Sequence, residues 1–141
     1  MSVTIRDAVD SDCERLTELI VELGHTITID FVRPNLSKLI ELGLTPLVAE
    51  VEGRVIGLCV PSRMQTLHRE TPDGRISTMV VSGDYRSHGI GAQLVAEAER
   101  KLAAQGCALI EVTSNETRTR AHQFWQAQGY EHTSKRFAKK V

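Results

Sequence analysis

The segment Val80-Val81-Ser82-Gly83-Asp84-Tyr85-Arg86-Ser87-His88-Gly89-Ile90-Gly91-Ala92 constrains the chain most, because it runs from an apolar strand through a glycine turn into an amphipathic helix. A helix start presents backbone N–H donors and the positive end of the helix dipole. Gly89 and Gly91 lack the β-carbons that would hold an anion away, and Arg86 adds a fixed charge suited to phosphate oxygens. A phosphate-bearing ligand fits such a turn. A glycine pair also serves, by itself, simply to shape a loop-to-helix junction. Two familiar phosphate binders fail on particular residues. A dinucleotide fingerprint needs a third glycine where Leu94 stands, and a P-loop needs a Gly-Lys-Ser/Thr ending that the chain lacks.

The pattern around this turn predicts a mixed α/β order. Val3 and Ile5 alternate with Ser2, Thr4 and Arg6 as in a half-buried strand. Ser11 and Glu14 have capping-box spacing, and Leu16, Leu19, Ile20 and Leu23 then share a helical face up to Gly24. A second helix is expected from Pro34 through Leu36, Leu39 and Ile40 to Gly43, after a weakly patterned stretch from His25 to Arg33. Pro46–Val51 and Arg54–Val60 read as a hairpin turning at Glu52-Gly53, with Gly57 and Pro61 marking a bulge or the strand's end. Met64 to Gly74 reads as a loop and Arg75 to Val81 as a strand. A helix from about Gly89 to Gln105 carries Ile90, Leu94, Ala98 and Leu102 at steps of four, with Glu97 and Lys101 placed to pair on its outer side. Cys107–Thr113 is expected as a strand, Ala121–Gln128 as a helix and Tyr130–Phe137 as a final strand.

Composition narrows the class. A length of 141 residues suits a single domain, 1–141, and 41% hydrophobic with 25% charged residues is ordinary for a folded protein. A net charge of −1 without like-charge blocks argues against a nucleic-acid surface. The lack of a long apolar run argues against a membrane partner, and the expected location is the cytoplasm. Cys13, Cys59 and Cys107 are odd in number and set among apolar neighbours, which predicts buried reduced thiols. No two of His25, His68, His88, His122 and His132 stand at i, i+4, so no metal site is expected from spacing.

Arg86-Ser87-His88-Gly89-Ile90-Gly91 resembles the acetyl-coenzyme A loop of the GNAT acetyltransferase superfamily, whose pattern is Arg/Gln-x-x-Gly-x-Gly/Ala. The resemblance extends to the preceding Met79-Val80-Val81, to Asn115, and to Ala121-His122-Gln123-Phe124-Trp125 through Gly129-Tyr130, similar to the superfamily's Ala-x-x-x-aromatic-x-x-x-Gly-aromatic ending. The element order matches over essentially the whole chain. The resemblance implies a GNAT-like fold: a mixed, mostly antiparallel central sheet flanked by about four helices. Glu111-Val112-Thr113-Ser114-Asn115 and the stretch from Ala121 to Arg136-Phe137 are further similar to the aminoalkylphosphonate N-acetyltransferases.

That resemblance implies acetyl-coenzyme A as cosubstrate and a small-molecule primary amine as acceptor, attacked directly, with an aminoalkylphosphonate as one such amine. A peptide amine, or a catalytically weak acetyl-coenzyme A sensor, is the alternative. It further implies that the pantetheine arm lies along Met79, Val80 and Val81. The pyrophosphate would sit on the amides of Ser87, His88, Gly89, Ile90, Gly91 and Ala92, beside Arg86. A backbone N–H of Met79 or Val80 would meet the thioester carbonyl. Asn115 would bond the arm or serve as a turn residue. Trp125 stands where many relatives carry a tyrosine acid, and an indole N–H donates a hydrogen bond without ionising, so packing beside the cosubstrate is expected of it. Where relatives place a glutamate base the chain has Ser77 and Thr78, so His68, in the loop expected near the acceptor, becomes the first candidate base, ahead of Glu111 and Glu70. Asp30 is placed to attract an ammonium, and Arg63, Arg69 or Arg75 to receive an anionic substrate group. A homodimer is the assembly the resemblance implies.

Overall fold

A computed structural model describes residues 1–141. Five strands lie in the order β1-β2-β3-β4-β5: β1 (Val3–Asp7), β2 (Leu47–Val51), β3 (Arg54–Met64), β4 (Asp73–Val81) and β5 (Leu109–Val112). Neighbours are antiparallel except β4 and β5, which run parallel because α3 (Ile90–Ala104) carries the chain back between them. Three more helices complete the fold: α1 (Cys13–Leu23), α2 (Ile29–Glu41) and α4 (Thr119–Ala127). The mixed, mostly antiparallel sheet with four helices is the architecture expected from the sequence.

Helices cover both faces, so the central strands read as continuous apolar runs. Val48, Val55, Leu58 and Val80 pack against Leu16, Leu19, Val32 and Leu36 of α1 and α2. Leu47, Ala49, Ile56, Cys59 and Ile76 pack on the other face against Ile90, Leu94, Val95 and Ala98 of α3 and Trp125 of α4. The β2–β3 hairpin turns at Glu52 and Gly53, both at positive φ (50° and 77°), as a two-residue turn with the right-handed sheet twist requires.

Several local expectations are corrected. Pro34 lies inside α2, which starts at Ile29, because the run Ile29, Val32, Leu36, Leu39 extends the apolar face one and a half turns before the proline. The missing proline N–H leaves only the Asp30 carbonyl without its helical donor, and Asp30 is exposed to water. Ser11 does not cap α1. The Asp12 carboxylate accepts the Val9 N–H at 2.8 Å and takes two bonds from Arg6, at 2.9 and 3.0 Å, which fixes the approach to the helix. β3 continues past Pro61 to Met64, with the register slipping between Val60 and Pro61. Glu97 pairs with Arg100, whereas Lys101 reaches Asp7. No strand forms over Tyr130–Phe137: residues 131–141 are exposed and irregular, and their mostly polar alternation gives no apolar face to bury.

Candidate functional site

β4 and β5 pair only from Asp73↔Leu109 to Ile76↔Val112, and then part. The cause is a bulge. Val60 faces Thr78 while Pro61 faces Ile76, so Ser77 is an extra residue that bends β4 and reverses which face each later side chain meets. Beyond it, one edge of β4 has no strand beside it. Ser82 donates its N–H to the Ile56 carbonyl at 2.8 Å, and strand alternation then turns the main-chain groups of Val80 and Thr78 toward β3 and those of Met79 and Val81 into the opening. The Val80 amide is thereby spent on β3, and the Met79 amide faces the opening.

The open edge ends at a helix start. Gly89 takes the left-handed conformation (φ 76°) that glycine adopts without penalty, and α3 begins at Ile90. The first helical bond there is from Gln93 to the Gly89 carbonyl, so the N–H groups of Ile90, Gly91 and Ala92 point outward, and no acidic side chain occupies the first turn. Gly91 matters for a different reason: a Cβ there would stand tight against the wall, 3.0 Å from Phe124 Cε1 and 3.3 Å from Met79 Cε. Arg86 is exposed and donates Nε–H to the Val81 carbonyl at 3.2 Å, fastening the loop of Ser87 and His88 to the same edge. Gly83 donates to Glu22 of α1 at 2.9 Å, and Arg118 to the Leu23 carbonyl at 2.9 Å, so both loops around the opening are tied to the end of α1.

α4 forms the wall. Trp125 is buried and makes edge-on contacts with Phe124 and Tyr130, at centroid distances of 5.1 and 5.2 Å. It is a packing residue, and an indole that does not ionise rules it out as an acid. Tyr130 does not replace it: its hydroxyl donates to Glu99 at 2.9 Å, and burial followed by that carboxylate pushes its pKa up. Asn115 Oδ1 accepts from the Thr117 N–H (3.0 Å) and hydroxyl (2.8 Å), the turn role that was one of its two expected uses, while its Nδ2 makes no bond within the chain. Phe124 contributes to the wall although its place in the sequence marked it only as part of a motif; its spacing to Gly91 across two helices leaves no linear signal.

A groove of about 290 Å³ lies on the opposite face of the sheet, between α1, α2 and the bulge. Leu16, Ile20, Val32, Leu36 and Leu39 form its helical side, and Leu58, Val60, Ser77 and Thr78 its floor. The bulge is therefore shared: Thr78 faces the groove while the Met79 amide, one residue on, faces the split between the strands.

The loop that carries His68 is anchored away from this place. Its loop springs from Met64 and Asp73, at the far end of β4, about 20 Å along the strand from Met79 at the usual rise. Arg69 is held to the buried Asp73 at 3.2 Å, which keeps the loop there, and Glu70 shares that displacement. Glu111 lies in register with Arg75 and is bound to it at 3.3 Å, while Arg75 also reaches Thr113 at 2.9 Å.

A split parallel pair beside a helix N-terminus with free amides defines a fold that holds an elongated ligand bearing an anion at one end. Residues 30–130 match the acetyltransferase (GNAT) family, and the chain belongs to it. It is 34% identical over 87 residues to an aminoalkylphosphonate N-acetyltransferase of Salmonella typhimurium, an alignment covering 62% of this chain and 56% of that protein, so the match spans little more than half of the relative's length. Among solved structures, the aminoglycoside N-acetyltransferase AAC(6')-Iy in complex with CoA superimposes with a TM-score of 0.90 at 19% identity, over 99% of this chain and 95% of that one. Glucosamine-6-phosphate N-acetyltransferase from Arabidopsis thaliana gives 0.86 at 19% identity, over 99% of both chains.

Proposed function

We propose that the protein is an acetyl-coenzyme A-dependent N-acetyltransferase acting on a small primary amine in the cytoplasm. The observation that carries this is the continuity of one strand edge: the Met79 and Val81 main chain faces the split, and the unclaimed amides of Ile90, Gly91 and Ala92 stand where the strand ends. The cosubstrate supplies an acetyl thioester. The outward N–H and C=O of Met79 and the N–H of Val81, whose carbonyl already accepts from Arg86, hold an extended amide-bearing arm as an added strand would be held. Ile90, Gly91 and Ala92 bind the pyrophosphate, with the Arg86 guanidinium ends beside it. The Met79 N–H is the donor for the charge that develops on the carbonyl oxygen. Phe124 and Trp125 close the far side against water. Three free buried cysteines agree with a reducing compartment.

No ionisable side chain lines the groove, so the amine reacts as its free base and its proton is released to water at the groove mouth. The departing thiolate needs no acid, since a thiol of pKa about 8.5 is an adequate leaving group near neutrality.

Calorimetric titration with coenzyme A and free-thiol release from acetyl-coenzyme A over a panel of amines test the reading. Saturable binding with amine-dependent release is expected, and absence of binding overturns it. Trp125 and Thr78, which lack acid and base chemistry, favour a second reading as a sensor. Tight binding without release by any amine class would establish that reading instead.

A further inference from the structure

The two main cavities of the molecule are of similar size. One, of about 300 Å³, lies among Gly43, Arg100, Lys101 and Gln105 at the C-terminal end of α3, which places it about 20 Å along that helix from Gly89. The other is the α1/α2 groove, whose floor includes Ser77 and Thr78 at the bulge. Of the two, only the groove reaches the bulge of β4, one residue from the Met79 amide, so we read the acceptor's chemistry from its lining.

That lining carries no charge. Its polar members are Asn35, Ser62, Ser77 and Thr78, all neutral, and the rest are aliphatic residues and prolines. The three arginines best placed in the sequence to grip an anion are engaged elsewhere: Arg63 donates to Gln105 Oε1 at 2.6 Å, Arg69 pairs with Asp73 at 3.2 Å, and Arg75 holds Glu111 and Thr113. Asp30 is exposed on α2 and does not line the groove. Moving a phosphonate or a second ammonium into such a lining strips its water without supplying a counter-charge, which disfavours it. An apolar body gains instead by removing its surface from water. The volume, about 290 Å³, lies just below the roughly 300–1,000 Å³ range of small-molecule pockets, which suits a small acceptor.

We infer that the acceptor is a small primary amine with an uncharged, largely apolar body, seated in the α1/α2 groove with its nitrogen at the Ser77–Thr78 bulge, and that aminoalkylphosphonates, polyamines and aminoglycosides are poor acceptors. The inference rests on the acetyltransferase reading above. Ser77 Oγ already donates to the Val60 carbonyl at 3.3 Å, which leaves the Thr78 hydroxyl as the floor group for the amine. In the reaction the nitrogen lone pair forms the bond to the acetyl carbon, the carbon–sulfur bond breaks with its electrons on sulfur, and the nitrogen releases its proton to water, from which the free thiolate afterwards takes one up. An N-substituted acetamide and free coenzyme A result.

The test compares kcat/KM for 3-phenylpropylamine and hexylamine with that for 2-aminoethylphosphonate, spermidine and an aminoglycoside, in the wild type and in Leu39→Glu, which puts a carboxylate on the exposed side of the groove. The apolar amines are expected to exceed the charged ones by about tenfold or more, and Leu39→Glu to cut that ratio by about tenfold while coenzyme A affinity, read by calorimetry, stays unchanged. Preference for the phosphonate or the aminoglycoside, or a ratio that Leu39→Glu does not move, overturns the inference and leaves the acetyltransferase reading standing; loss of coenzyme A binding in the wild type overturns both. If no amine releases thiol, titration of 3-phenylpropylamine into the coenzyme A complex decides: binding that Leu39→Glu abolishes supports the groove's selectivity, and no binding refutes it.

Discussion

Replacing Gly91 by alanine sets two effects of known size against each other. An alanine in a helix is favoured over glycine by about 1 kcal/mol, and less than that in the first turn, where Gly91 stands. Against this, the new methyl would lie 3.0 and 3.2 Å from Phe124 Cε1 and Cζ, and 3.3 Å from Met79 Cε. The Met79 thioether end can swing aside. The Phe124 ring has less freedom, being held edge-on by Trp125 at 5.1 Å, and overpacking of this kind costs about 1–3 kcal/mol. The clash outweighs the propensity gain, leaving a net loss near 1 kcal/mol, or about 3–5 °C in Tm for a chain of this size. Urea unfolding followed by circular dichroism measures it, with an unchanged m value as the sign that only stability has moved. The reasoning is sharpened in a Phe124→Leu background, where the ring is absent and Gly91→Ala should turn stabilising; the coupling between the two sites should then be about 1–2 kcal/mol. A Gly91→Ala protein more stable than the wild type, or one whose effect is the same in both backgrounds, would refute the claim that Phe124 dictates glycine at this position.

Four further outcomes follow from the same geometry. Asp12→Asn should cost about 2–3 kcal/mol, since it leaves Arg6 without its two-point partner. The Arg6 hydrogen bonds hold the Asp12 pKa down, so its contribution is full above the unfolded value of about 3.9 and is lost as the pH falls through the folded one. The acid limb of the stability curve should therefore flatten in the variant; parallel curves would show that the pair does not couple to folding. Arg86→Ala should raise KM for acetyl-coenzyme A about tenfold with kcat nearly unchanged, as expected for removing a charge-assisted contact made equally throughout the reaction. His68→Ala should leave kcat and its pH dependence unaltered, because the β3–β4 loop holds that imidazole away from the bulge. Cys13, Cys59 and Cys107 are buried, and burial raises all three thiol pKa values, that of Cys59 to about 12. None should react with Ellman's reagent in native buffer and all three should react in denaturant; a fast native thiol would contradict the packing of that strand or turn.

Local chemistry was legible wherever a pattern repeats within one element. The steps of four from Ile90 to Leu102, the Glu52-Gly53 turn and the apolar β3 run all became the expected elements. Pro34 misled because a proline at a helix start is common, while the apolar positions before it, Ile29 and Val32, carry the helix across it. Tyr130–Phe137 misled in the opposite sense: an aromatic at each end suggests a strand, yet a strand also needs a buried face and a neighbour, and neither is fixed by the segment itself. His68 was favoured on its chemistry and on a loop expected near the acceptor. Its imidazole has a suitable pKa, but reach depends on which end of β4 the loop joins.

The sequence by itself determined the turn that presents Ile90, Gly91 and Ala92, because a helix start and a left-handed Gly89 are local properties of backbone and dipole. Only the tertiary structure decided the rest of the site. The Ser77 bulge parts β4 from β5, turns Met79 rather than Val80 into the opening, and sets Thr78 on the groove floor. Strand register, helix packing and the pairing of Arg63, Arg69 and Arg75 arise between segments far apart in the chain, where no single stretch of residues records which neighbour it will meet.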